Sequence, residues 1–325
     1  MIRKLSYKDA ITEALKQSMQ NDSSVFVYGA GVDDAEGIFG TGVGLSKYFG
    51  NKRVFDVPVS ENALTGIGIG SAITGMRPVF VHQRIDFTLL TMDQIVNHAS
   101  KFHYMFGGKI SVPIVIRAIV GRGWGQGSQH SQSFHSIFSH FPGLKVVLPS
   151  NAYDAKGLLI SSIKDNNPTI FVEHKFLMNN QNNVPSKNYS IKLGKGKKVL
   201  SGNDVTIVCF SLMVDEAIKA SNILKEKNIN CEVIDLRSSR PIDEKIIVDS
   251  VKKTGRLIVC DIDWLKCGVS SEIVSIVIEK AFKYLKASPI RIGIPEANHP
   301  SSYALENAFF PNSKNIINSV KKILK

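Results

Sequence analysis

The chain has 325 residues, with a hydrophobic fraction of 43%, a charged fraction of 21% and a formal net charge of +12. These are the proportions of a soluble globular protein long enough for one large or two ordinary domains. The basic excess raises the question of a nucleic-acid or membrane partner. The lysines, however, are scattered over helix-like segments such as Lys219 to Lys227 and Lys321-Lys322-Ile323-Leu324-Lys325. No basic stripe is interleaved with aromatics, so a solvated surface is expected, with no nucleic-acid and no membrane partner.

No apolar run is long enough to span a bilayer, and Met1-Ile2-Arg3-Lys4-Leu5-Ser6 lacks an apolar signal segment, so a cytoplasmic protein is expected. Cys209, Cys231, Cys260 and Cys267 are widely spaced in the C-terminal part. They read as reduced core or near-core residues, not as a metal site or a disulfide frame.

In chain order, Ser6 with Asp9 three residues on marks a helix start, and that helix is expected to run to about Met19. Val25-Phe26-Val27-Tyr28 reads as a strand closed by Gly29. A glycine-rich loop, Gly37 to Gly44, leads into a short helix ending at Phe49. Val54 to Val57 is a strand and Ala63 to Thr74 a buried helix. Pro78 to Val81 is a strand, Met92 to Tyr104 an amphipathic helix, and Val112 to Arg117 another strand. Strands at Leu144 to Pro149 and Thr169 to Glu173 follow. Met178 to Lys198, rich in Asn, Lys, Ser and Gly, reads as a linker.

A second alternating set has strands at Val205 to Cys209, Cys231 to Leu236 and Leu257 to Cys260. Its helices are expected at Met213 to Glu226, Ile242 to Lys253, Ser270 to Leu285 and Ser313 to Leu324. Short apolar strands alternating with helices indicate parallel sheets covered on both faces. The fold class is therefore α/β with two doubly wound domains, residues 1–185 and 199–325, joined by a linker at 186–198.

Two places carry candidate chemistry. Glu61 ends the strand-like run Asp56-Val57-Pro58-Val59-Ser60 and precedes the Gly-spaced apolar segment Gly66-Ile67-Gly68-Ile69-Gly70. A carboxyl there is hard to solvate and needs a partner that accepts or shares its proton. Without such a partner it would be a helix N-terminal acid favoured by the macrodipole. The second place is the run Gly121 to Gln132, with His130, at the carboxyl end of the strand Val112 to Arg117. In open α/β sheets ligands bind at such ends, and a long loop bearing His and Gln is more often functional than filler. His130, His135 and His140 recur every five residues, which puts them on different helix faces and argues against zinc. The Gly66-Gly68-Gly70 spacing is not the dinucleotide fingerprint, and there is no phosphate-binding GxxxxGK[ST].

An ordered set of segments resembles one family. It comprises Arg53-Val54-Phe55-Asp56-Val57-Pro58-Val59-Ser60-Glu61, Met92-Asp93-Gln94-Ile95-Val96-Asn97 and Tyr104-Met105-Phe106-Gly107-Gly108. It continues with Val112-Pro113-Ile114-Val115-Ile116-Arg117, Gln129-His130-Ser131-Gln132 and Pro142-Gly143-Leu144-Lys145-Val146-Val147. Asp154-Ala155-Lys156-Gly157-Leu158, Asp165-Asn166-Asn167-Pro168 and Asp235-Leu236-Arg237-Ser238-Ser239-Arg240-Pro241 complete it. In these segments, which span nearly the whole chain, the sequence resembles the β subunit of the E1 component of 2-oxo acid dehydrogenases of pyruvate, branched-chain and acetoin types. Those subunits are relatives of the pyrimidine-binding and C-terminal domains of transketolase.

The resemblance implies a thiamine diphosphate (ThDP) enzyme in which Glu61 hydrogen-bonds N1′ of the aminopyrimidine. That bond favours the tautomer that removes the thiazolium C2 proton. It also implies that Phe87 stacks on the pyrimidine, that Gln83 contacts it and that His130 helps acyl transfer. Relatives carry a structural K⁺ on backbone carbonyls, which here would be those of Ile114, Ser162, Asp165 and Asn167. ThDP enzymes hold diphosphate through Mg²⁺ at a Gly-Asp-Gly run, which this chain lacks. The diphosphate and Mg²⁺ are therefore expected on an α subunit, in an α₂β₂ assembly that meets a lipoyl acyltransferase.

One departure bears on substrate. His82-Gln83-Arg84-Ile85-Asp86 stands where many relatives have an apolar or aromatic wall. A charged wall would suit a polar donor or acceptor, so half of a split transketolase-like enzyme passing a two-carbon unit to an aldehyde or sugar stays open beside the dehydrogenase. A non-catalytic assembly partner is the third reading, and the presence of both Glu61 and His130 argues against it.

Overall fold

The structure is a computed structural model that describes residues 2–325. Two compact units are found: residues 1–121 with 137–193, and residues 122–136 with 194–325. The segment 122–136 thus belongs to the second unit, although its position in sequence placed it in the first domain. The longer segment of the second unit begins at Gly194, inside the expected linker.

The first unit opens with β1 (Ile2–Ser6), α1 (Tyr7–Asn21), β2 (Val25–Tyr28), α2 (Leu45–Phe49) and β3 (Val54–Phe55). It continues with α3 (Glu61–Ile73), β4 (Arg77–His82), α4 (Phe102–Met105) and β5 (Val115–Val120). After α5 (His135–His140), whose first two residues belong to the second unit, come β6 (Lys145–Val147), α6 (Ala152–Lys164), β7 (Thr169–His174) and β8 (Gln181–Pro185). Its central strands run in the order β6-β7-β5-β4-β2-β3, every neighbour parallel. Residues of β5 and β7 are buried throughout, as strands covered on both faces must be.

Ser6 caps α1 by accepting a hydrogen bond from the Asp9 backbone N–H at 3.2 Å, as its spacing indicates. β1 and β8 form a separate antiparallel ribbon. The expected amphipathic helix Met92 to Tyr104 is broken into a π-helical turn, Gln94–Ala99, and the short α4.

α3 departs from the expectation of a fully buried helix. Its face of Thr65, Gly68, Ile69 and Ala72 is buried, while Ile67 stays 63% exposed. The glycines serve close approach. A Cβ on Gly68 would sit 2.0 Å from the Tyr28 hydroxyl and 3.0 Å from Ile114 Cδ1, and that hydroxyl donates to the Leu64 carbonyl at 3.0 Å. Gly68→Ala is therefore expected to destabilise the protein by about 1–3 kcal/mol through overpacking. Urea denaturation of the variant checks this, and an unchanged midpoint would contradict it.

The second unit contains β9 (Lys197–Leu200), β10 (Val205–Cys209), α7 (Leu212–Lys225), β11 (Cys231–Asp235), β12 (Ser238–Arg240) and α8 (Glu244–Thr254). These are followed by β13 (Leu257–Trp264), α9 (Val269–Ala281), β14 (Ile290–Ile294), α10 (Tyr303–Phe309) and α11 (Ser313–Ile323). Its sheet runs β14-β13-β10-β11-β9, with only β9 antiparallel. Cys209, Cys231 and Cys260 are buried free thiols. Cys267 is exposed because it falls in the turn between β13 and α9, outside the strand core.

Among the described residues no helix is long and apolar enough to cross a membrane.

Candidate active site

The parallel sheet of the first unit ends β2, β3 and β4 on one side, and the first turn of α3 starts there. An open cavity of about 200 Å³ lies at these strand ends. It is lined by Glu61, Gln83 and Phe87, by Val57-Pro58-Val59 and Leu64, and by the end of β4. The carboxyl ends of parallel strands meet the positive end of a helix there. Glu61, Gln83 and Phe87, the three residues that the sequence resemblance placed on the cofactor, therefore line one cavity.

Glu61 occupies the first turn of α3, where Ser60 supplies no side-chain cap. It is half-buried and its neighbours Asn62 and Ala63 are exposed. The carboxyl is thus less enclosed within this chain than its sequence position implied. Gln83 donates from Nε2 to the Ala30 carbonyl at 3.1 Å, which fixes its amide at the rim. Asp56 accepts from the Gly31 N–H at 2.6 Å and so ties the loop after β2 to the end of β3. Phe87 is half-buried in a short 3₁₀ segment, Ile85–Thr91.

His82, the first residue of the wall read from the sequence, lines the same cavity. It is 3% exposed and lies against Phe80 with ring centroids 4.3 Å apart. Burial pushes its pKa down to about 3, so the imidazole is neutral at physiological pH. Period-2 alternation along β4 offered no signal for it, because Val81 and His82 are both buried.

Arg84 and Asp86 do not line the cavity. Arg84 is 2% exposed, donates from Nη1 to the Gly121 carbonyl at 2.7 Å and lies over the Phe39 ring. Asp86 is buried and interacts with it. The charged wall inferred from the sequence is thus an internal brace. A guanidinium with a carbonyl, a carboxylate and an aromatic face in reach is better satisfied inside than in an open cleft.

His130 is in the second unit, half-buried at the end of a 3₁₀ turn, Gly127–Gln129. Its backbone N–H donates to the Gly127 carbonyl. A Cβ on Gly127 would meet Ser301 Oγ at 2.3 Å, so only glycine allows this turn to lie so close to Ser301.

The four residues whose carbonyls were assigned to K⁺ belong to the C-terminal end of α6 and the strand starts beside it. The Ile114 carbonyl accepts from the Thr169 N–H at 2.9 Å, and that of Ser162 from the Asp165 N–H at 3.3 Å. The Asp165 carbonyl accepts from Arg77 Nη1 at 3.1 Å, and Ile163 supplies a second acceptor to the same nitrogen. Asn167 donates through its backbone and side-chain nitrogens to Asp165 Oδ1.

Comparison with known proteins also divides the chain into two parts, with residues 122–136 falling within the first match. A family described as "Transketolase, pyrimidine binding domain" matches residues 3–181, and one described as "Transketolase, C-terminal domain" matches residues 194–316. The pyruvate dehydrogenase E1 component subunit beta of Rickettsia bellii is 41% identical over 98% of this chain and 98% of its own. The acetoin:2,6-dichlorophenolindophenol oxidoreductase subunit beta of Cupriavidus necator is 42% identical over 100% of this chain and 99% of its own. The solved structure of a split-gene transketolase, an inactive β4 tetramer, shares the fold with a TM-score of 0.78 at 20% identity over 98% of both chains. Matches of this extent leave one assignment: the chain belongs to the transketolase-related family of E1 component β subunits.

Proposed function

We propose that the chain is the β subunit of a ThDP-dependent 2-oxo acid dehydrogenase E1 component, which decarboxylates a 2-oxo acid and transfers the acyl group to a lipoyl domain. The observation that carries this reading is the cavity that gathers Glu61, Gln83 and Phe87 at the strand ends. Its composition fits an aminopyrimidine, a flat ring with a hydrogen-bonding edge. Phe87, Leu64 and Val57-Pro58-Val59 offer apolar walls, and Glu61 and Gln83 offer the polar contacts. When bound, ThDP supplies the acidic thiazolium carbon and the electron sink of the reaction.

In this reading Glu61 holds a proton at N1′ of the pyrimidine and takes it back when the ring gives it up. Phe87 stacks on the ring. Gln83 orients the ring edge, and neutral His82 closes the wall without adding charge. His130 carries a proton during acyl transfer. Phe87→Ala is expected to weaken ThDP binding about tenfold with little loss of folding stability. Calorimetric titration of the assembled enzyme checks this, and unchanged affinity would remove Phe87 from the site.

The diphosphate and its Mg²⁺ are assigned to an α partner, since this chain has no Gly-Asp-Gly run, and the assembly is taken as α₂β₂. A K⁺ at the end of α6 would share the Asp165 carbonyl with Arg77, at the negative end of the helix dipole. It would stiffen that corner without touching the cofactor. A lipoyl acyltransferase is the acyl acceptor's carrier in this reading, and the cytoplasm its location.

A second donor deserves a test because an acetoin oxidoreductase β subunit is 42% identical to this chain. Pyruvate and acetoin both deliver a two-carbon unit. The protein, assembled with its α partner, is given pyruvate, branched-chain oxo acids, acetoin or sugar aldehydes with an artificial electron acceptor. Turnover of an oxo acid supports the proposal, and turnover of acetoin alone supports the second donor. Turnover confined to the aldehydes would overturn both, a result disfavoured by the inward placement of Arg84 and Asp86.

A further inference from the structure

The second unit buries an imidazole between two carboxylates that the reaction as described does not use. His135 is 0% exposed, and its Nε2 lies 2.9 Å from Asp261 Oδ1 while its Nδ1 lies 3.7 Å from Asp263 Oδ2. Both acids are on β13 and are themselves buried. Two carboxylates at such depth repel each other and are poorly solvated, so a cation between them is strongly favoured. Asp263 also accepts from the backbone N–H and hydroxyl of Ser136, and His135 packs against the Phe210 ring. Residues 135 and 136 are thus bound to β13 by two ion-pair contacts and two hydrogen bonds.

The same segment has a second anchorage upstream. The Gly123 N–H donates to Glu306 Oε1 at 3.1 Å, and Ser128 Oγ donates to the His299 carbonyl at 2.8 Å. Arg122 lies over the Phe310 ring. Trp264, next to Asp263, joins the two anchorages. Its indole N–H donates to the Ala297 carbonyl, and its ring meets His299 and Phe134. The upstream anchorage holds the two ends of the glycine-rich run, with Gly123, Gly125 and Gly127 at positive φ and Trp124 76% exposed, and His130 lies between that anchorage and residues 135–136. Such a run has large backbone entropy, so its geometry is set by what holds its ends. His130 lies five residues before His135.

We propose that the buried His135–Asp261–Asp263 cluster is a clamp that positions the His130 loop, with His135 acting as its pin. This rests on the reading of His130 as a group in acyl transfer. His135 touches neither cofactor nor substrate in this account and is a positioning residue. The two carboxylates raise the His135 pKa from 6.5 to about 9 against the opposing effect of burial, while burial pushes the Asp263 carboxyl up. Asp261 and Asp263 are the charged groups that act on the imidazole. Because the folded pKa lies above the unfolded one, the stabilisation is complete below pH 6.5 and is lost as pH rises through about 9.

The test uses the enzyme assembled with its α partner and three variants: His135→Gln, Asp263→Asn, which keeps the His135–Asp261 pair, and His130→Ala. His135→Gln is expected to lower kcat about tenfold to a hundredfold with KM changed less than about twofold. Amide exchange of residues 122–131 is expected to rise at least about tenfold in His135→Gln and less in Asp263→Asn. The double variant His130→Ala/His135→Gln is expected to be no slower than His130→Ala, because both changes act through one group. Losses that multiply, or exchange of 122–131 that is unchanged in both clamp variants, would overturn the clamp. If His130→Ala retains full turnover, the reading of His130 falls. The exchange result then decides the clamp alone.

Discussion

Glu61→Gln is expected to slow deuterium exchange at thiazolium C2 of bound ThDP by about 10²–10⁴-fold in the enzyme assembled with its α partner. The amide keeps the shape of the side chain but cannot take the proton that the carboxylate holds at N1′. Folding stability is expected to change little. Glu61 is half-buried in an open cavity at a helix start, where losing the dipole interaction costs about 0.3–1 kcal/mol. The two readouts therefore separate, with C2 exchange and kcat collapsing while the thermal midpoint holds. Exchange as fast as in the unaltered enzyme would remove Glu61 from the mechanism.

The largest expected loss of stability lies away from the cavity. Arg117 on β5 and Glu173 on β7 are 1% and 0% exposed and form a bidentate pair, with Nε to Oε1 at 2.6 Å and Nη2 to Oε2 at 2.8 Å. β5 and β7 are adjacent parallel strands near the middle of the sheet. Arg117→Ala leaves a carboxylate without its cation in that interior and is expected to cost about 3–5 kcal/mol. That is a large part of the ~5–15 kcal/mol a domain commands. The double variant Arg117→Met/Glu173→Leu is expected to recover most of the loss, since it removes both charges. Urea denaturation of the three proteins checks both statements. A single variant within about 1 kcal/mol of the unaltered protein would show that water or another group rescues Glu173.

Much of this architecture was legible because its signals are local. Ser6 with Asp9, the apolar strands Val25 to Tyr28 and Val205 to Cys209, and the second-unit helices starting near Leu212, Glu244, Val269 and Ser313 all carry a cap or a period of their own. β8 did not. In Gln181–Pro185 only Val184 is buried, so a two-stranded ribbon looks like a polar linker. The helix expected from Met92 failed for the opposite reason. Its apolar residues are real, but the chain turns at Ser100–Lys101, and Tyr104 ends up 90% exposed.

For the site, the acid, the aromatic and the amide could be named from motif order, and they line one cavity. The direction of Arg84 and Asp86 could not, because nothing in a linear string says which way a short 3₁₀ segment turns its charges. The partners of His135 lie about 126 residues downstream on β13, so its clamp was invisible to any spacing rule. The exposed Ile67 on α3 is of the same kind. The run reads as buried, and a single chain buries only the face turned to its own sheet.

The account depends most on a cavity in this chain that holds the aminopyrimidine while a second polypeptide holds the diphosphate. Titrating ThDP with Mg²⁺ calorimetrically into the chain alone, into the α partner alone and into the assembled pair tests this directly. The account predicts tight binding of one ThDP per β chain in the pair alone, and at least tenfold weaker binding when Glu61 or Phe87 is replaced. Equal affinity for an isolated chain, or an assembled pair indifferent to both replacements, would contradict it.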